Sequence, residues 1–94
     1  MKILLIQYIE TTNDKFPQPI YKLVENNAIP HAGDYIYDTL WKEPNEYKVD
    51  KVVIDYTYNR CEVTLEKCEE KWDSFERFIE MAKLHGWTDR YPIK

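Results

Sequence analysis

The run Val52–Glu66, VVIDYTYNRCEVTLE, constrains the fold more than any other stretch, because its alternation specifies two facing strands. With Asn59-Arg60 as a two-residue turn, Tyr58 faces Cys61, Tyr56 faces Val63 and Ile54 faces Leu65, all on one side. Thr57 with Glu62, Asp55 with Thr64 and Val53 with Glu66 then occupy the other side. Side chains alternate between faces along a strand, so a one-residue slip would mix the two sets. The expectation is a half-buried antiparallel hairpin at the centre of the fold, with Tyr56 and Tyr58 directed inward.

The segments around it read as further strands. Lys2–Glu10 is apolar on both faces, with Ile3, Leu5 and Ile9 on one and Leu4, Ile6 and Tyr8 on the other, the pattern of a central or doubly covered strand. Pro17-Gln18-Pro19 disfavours both helix and central strand, and Ile20–Val24 suits a short second strand. Gly33, one of only two glycines, suits a backbone conformation that a Cβ would strain. Tyr35–Trp41 predicts a third strand, after which Lys42-Glu43-Pro44-Asn45 turns the chain. Tyr47 and Val49 alternate in one parity and Val52, Ile54 and Tyr56 in the other, so a β-bulge is expected near Asp50-Lys51.

A helix follows. Asp73-Ser74-Phe75-Glu76 has the form of a capping box opened by Asp73, with Trp72 as a staple residue. Phe75, Phe78, Ile79 and Ala82 recur at helical spacing, Gly86 suits the left-handed residue past the end, and Trp87 is placed to fold back. The sum is an α+β domain, βββββα. A bent antiparallel sheet or small SH3-like barrel of about five strands, closed by the C-terminal helix, is expected, and an open sheet with the helix on one face is the alternative.

Ninety-four residues suit one domain, 1–94, with a single modest core. No apolar run approaches the roughly 20 residues that span a bilayer. MKILLIQYIE is interrupted by Gln7 and Glu10 and is not followed by a small-residue cleavage site, so it reads as a strand and the cytoplasm is the expected compartment. Cys61 and Cys68 lack metal-type spacing, and Cys61 lies on the inward face as a small hydrophobe. The net charge of −4 is concentrated between Glu62 and Glu80, where seven acids including Glu69, Glu70 and Glu76 oppose three bases. A phosphate backbone needs a basic face, so direct nucleic-acid binding is disfavoured and a basic protein surface fits better.

The catalytic inventory is thin, and no enzyme activity, cofactor or metal is expected. The one serine, Ser74, belongs to the helix start, and His31 with Asp34 falls short of the three or four ligands zinc takes. P-loop, G-x-G-x-x-G and H-E-x-x-H motifs do not occur. The aromatic supply is the unusual property: eight Tyr and three Trp exceed what one side of a small sheet can bury. Tyr35, Tyr37, Trp41 and Tyr47 are therefore expected as partner-binding residues on an exposed sheet face.

The run Pro30-x-x-Gly33-Asp34, then a strand, then Tyr47-x-Val49-x-x-Val52-Val53-x-Asp55-Tyr56 and Val63-x-Leu65 resembles small β domains of bacterial and phage type over residues 30–66. Families of that kind include phage inhibitors of host defence and nucleotide-capturing sponges, and the resemblance implies no catalytic residue. The expected function is a non-enzymatic protein–protein interaction module, in its sharpest form a phage-type inhibitor of a host protein. Tyr35, Tyr37, Trp41 and Tyr47 would anchor it, and Glu69, Glu70 and Glu76 would steer it. A homodimer is a further expected association. The alternative is a small-ligand or nucleotide pocket at a homo-oligomer interface, with His31, Lys48, Lys51 and Arg60 as the ligand-binding set.

Overall fold

In the computed structural model, which describes residues 2–12, 16–40, 44–67 and 71–92, the first strand β1 (Lys2–Thr11) is the most deeply covered element. It lies between β2 (Gln18–Glu25), antiparallel to it, and β5 (Arg60–Leu65), parallel to it. Beyond β5 come β4 (Pro44–Asp55) and β3 (Tyr35–Thr39), both added antiparallel, giving the order β2-β1-β5-β4-β3. Two residues, β6 (Lys71–Trp72), pair with the end of β1 before the helix α1 (Phe75–Lys83). The whole is a strongly curled, open, mixed sheet with one C-terminal helix, an α+β half-barrel. Among the described residues no helix is long and apolar enough to cross a membrane.

Two expectations about topology are corrected. The sheet is mixed, not an antiparallel meander, because β1 inserts beside β5 and so gains partners on both edges for its apolar run. The hairpin β4–β5 turns over Tyr56–Asn59 instead of Asn59-Arg60, pairing Ile54 with Cys61, Val52 with Val63 and Asp55 with Arg60. The cause is local: Asp55 Oδ1 accepts from the amides of Thr57 and Tyr58, and Asn59 closes the turn at φ 52°. Parity survives the shift, so Cys61, Val63 and Leu65 are buried as expected, but Tyr56 and Tyr58 sit exposed in the turn. The predicted bulge is present, between Val49 and Lys51.

The core face gathers Ile3, Leu5 and Ile9 of β1, Cys61, Val63 and Leu65 of β5, Val49, Leu40 and Ile20, under Phe78, Ile79 and Ala82 of α1. Trp72 packs on Phe78 with ring centroids 4.5 Å apart, as a staple residue should. The N-cap is Ser74, one residue later than the expected Asp73, and it makes no side-chain capping bond. Gly33 and Gly86 both adopt positive φ, at 95° and 90°, where a Cβ is disfavoured.

Trp87 and Thr88 join the two free edges of the half-barrel. Thr88 exchanges backbone hydrogen bonds of 2.8 Å with Tyr21 of β2, while the Trp87 indole N–H donates to the Thr39 carbonyl of β3 at 3.0 Å. Lys22 of β2 donates to both carboxylate oxygens of Asp38 of β3, at 3.0 and 3.1 Å. A short clasp therefore bridges edges that no strand pairing closes among the described residues.

The chain then crosses to the outer face, where Leu4 and Ile6 are also buried. Arg60, itself buried, donates to the Pro92 carbonyl at 2.6 Å and to the Tyr91 hydroxyl at 2.7 Å, and Tyr91 donates onward to Glu62. Tyr91 meets Tyr21 edge-on at 5.3 Å, so its ring spans the row holding Leu4 and Ile6. The hydrogen bond to Glu62, then burial and the Glu62 charge, raise the Tyr91 hydroxyl above the ordinary tyrosine value despite Arg60. Burial, then the neighbouring Tyr8 and Glu62, raise Tyr21.

A phenol with a raised folded pKa holds its proton more tightly when folded. Its contribution to stability is complete below pH about 10, the unfolded value, and is lost as pH rises through the folded value. Melting temperature is therefore expected to drop more steeply above pH about 10 in the native chain than in Tyr91→Phe. Superimposable alkaline profiles of the two would refute this linkage.

Candidate functional site

The expected aromatic surface is partly assembled. Tyr35 and Tyr37 stand on the outer face of β3, 64% and 70% exposed, directly opposite Lys48 and Glu46 of β4. Their exposure follows from the register: the intervening Ile36 faces the core, and a strand presents every second residue to each side. Tyr47 does not join them. It is the register partner of Ile36, so it points to the core face and packs there half-buried. Trp41, Glu69, Glu70 and Cys68 lie outside the described residues.

An aromatic position missed from the sequence is the hairpin turn. Tyr56 is 86% exposed at its tip, and Tyr58 is exposed beside the Arg60 guanidinium, 5.4 Å from the ring centroid. Shifting the turn onto Tyr56–Asn59 removes both rings from the strand alternation that had sent them inward. The signal that was available is Asp55 followed two residues later by Thr57, an Asx-turn pattern.

The cationic set proposed for a ligand does not converge. Arg60 is consumed by Pro92, Tyr91 and a 3.5 Å ion pair to Glu62, with Tyr58 and Tyr91 on its faces. Lys48 lies 4.0 Å from Glu66, and Lys51 is exposed several register positions away from Arg60. His31 is exposed in the turn, where Asp34 accepts from its backbone N–H at 2.9 Å and stands 3.7 Å from its Nδ1. Among the described residues no group of three His, Cys, Asp or Glu side chains is placed to hold a metal ion. Cys61 is buried in the core cluster.

The acidic segment is also dispersed. Glu62 and Glu66 are held by Arg60 and Lys48, while Lys67 and Lys71 turn to Glu10 of β1. Glu76 and Glu80, one helical turn apart on α1, remain as exposed acids. What the arrangement offers is planar, amphipathic contact area on rigid backbone with charge at its margin. Compared with protein-family models, with curated proteins and with solved structures, the chain matches none.

Proposed function

We propose that this chain is a non-enzymatic protein-binding module that engages its partner through the outer face of β3. The observation that carries the reading is the exposure of Tyr35 and Tyr37 at alternate positions of one strand, with Ile36 between them anchored in the core. Tyr has few rotatable bonds, so holding it on a strand costs little entropy on binding, and residues of this type dominate interface energetics. Lys48 and Glu46 opposite the rings supply a mixed-charge rim. Glu76 and Glu80 give a basic partner an electrostatic approach, and an inhibitor of a host protein is the sharpest form of this reading.

The test is quantitative capture from lysate by immobilised native protein and by a Tyr35→Ser/Tyr37→Ser variant. Loss of two contact tyrosines worth about 2 kcal/mol each should reduce retention of the partner at least roughly tenfold. The captured partner's association rate should also fall with added salt and with Glu76→Lys. Identical capture by both baits would sink the proposal. So would strong thermal stabilisation by nucleotides with no protein retained, which is the outcome of a ligand pocket.

A further inference from the structure

β4 is much longer than β3, and the excess is an unpaired edge. The β3–β4 ladder ends at Tyr35 opposite Lys48, and the edge is last occupied at Val49, whose amide donates to the Asp34 carbonyl at 2.8 Å and whose carbonyl accepts from the Gly33 amide at 2.9 Å. From Lys51 to Asp55, β4 pairs only with β5 among the described residues. One alternating set of its N–H and C=O groups therefore faces outward, a template for another strand. Val53 and Ile54, on opposite faces, are 48% and 47% exposed although both are β-branched strand residues. The stretch has no proline or glycine to blunt it.

Its sequence is self-complementary. Lys51-Val52-Val53-Ile54-Asp55 laid antiparallel against a second copy about Val53 puts Lys51 opposite Asp55, Val52 opposite Ile54 and Val53 opposite itself. Lys51 makes no ion pair among the described residues, and Asp55 uses only Oδ1 in its turn, so Oδ2 can accept. Lys51, Val53 and Asp55 share the outer face with Thr64, Glu62 and Arg60, so each charge pair would lie on one surface of the joined sheet. A slip by one residue would exchange the faces, and a slip by two would set Asp50 against Ile54 or carry Tyr56 out of its turn.

We propose that the protein forms a twofold-symmetric dimer by adding the Lys51–Asp55 edge of one copy antiparallel to the same edge of a second. The contact is isologous, so it closes at two copies. It is small, and its dissociation constant is expected on the order of tens of micromolar. It uses a different stretch of β4 from the one opposite Tyr35 and Tyr37, and it does not rest on the protein-binding reading above.

Sedimentation velocity of the whole chain from roughly 5 to 500 μM should show the average mass rising from monomer towards twice that value. Val53→Lys places two ammonium groups together at the twofold axis and should abolish the rise, with a melting temperature close to native because Val53 is half-exposed and opposite Glu62. Lys51→Glu should weaken association about tenfold and Lys51→Arg should preserve it. A monomer at the highest concentration would overturn the proposal. A dimer that survives Val53→Lys, or that dissolves only in Tyr35→Ser/Tyr37→Ser, would overturn it equally, because the contact would then lie elsewhere.

Discussion

Trp87→Ala is expected to lower the unfolding free energy by about 3–5 kcal/mol. The ring is buried in the main core cluster, so its removal leaves a cavity that the curled sheet cannot readily collapse into. The truncation also strips the Thr39 carbonyl of its indole donor, and with it the link from the helix exit to the β3 edge. For a small domain with a total stability of roughly 5–15 kcal/mol, that loss is a large share of the whole. Urea denaturation should show a midpoint lower by about 2–3 M, taking a slope of roughly 1.5 kcal/mol per M. Trp87→Phe narrows the contributions, since it keeps much of the packing while forfeiting the hydrogen bond and part of the ring volume, at a cost of about 1–2 kcal/mol. A loss below about 1 kcal/mol in Trp87→Ala would mean that the clasp does not hold the half-barrel shut.

The second large effect is expected at Arg60. Arg60→Ala removes the donor to Pro92 and Tyr91 together with the aliphatic stem and guanidinium plane that lie between Tyr58 and Tyr91. A destabilisation of about 2–4 kcal/mol is expected, and it should be local in character. Amide exchange in residues 88–92 should accelerate far more than in β4 or β5, because the segment loses its fastening while the ladders keep theirs. Arg60→Met should recover a good part of the packing energy without restoring slow exchange. Arg60→Lys should resemble it, since an ammonium cannot make the forked contact. Uniform acceleration across the sheet would show instead that Arg60 supports the hairpin itself.

What could be read from residues alone was mostly what local chemistry determines. The helix exit at Gly86, the staple at Trp72 and the bulge after Val49 each leave a mark within a few positions of where they act. The double covering of β1 was legible because Leu4 and Ile6 are apolar in the parity opposite to Ile3 and Leu5. The hairpin register was not, because moving the turn from Asn59-Arg60 to Tyr56–Asn59 preserves parity. Alternation is blind to a shift of that kind, and only the side chain of Asp55 decides between the two. The parallel pairing of β1 with β5 leaves no local trace at all, since its partners are nearly sixty positions apart in sequence, Ile3 with Cys61. Tyr47 was misplaced for a related reason: its face is fixed by Ile36 on a different strand. Arg60 read as a spare cation, and it became an anchor once residues 91 and 92 folded over it.

The position of β1 between β2 and β5 carries a consequence for vectorial synthesis. As the chain leaves the ribosome, β1 can zip with β2 at once, but its other edge must wait until residues 60–64 have emerged. During that interval the most apolar strand in the protein presents an unsatisfied backbone edge to the cell. Parallel pairing over such a separation is also intrinsically slow, because the loop must close before the contacts reward it. The nascent chain is thus most vulnerable between the emergence of β2 and that of β5, and a holding chaperone that recognises extended apolar segments would find its site at residues 3–9.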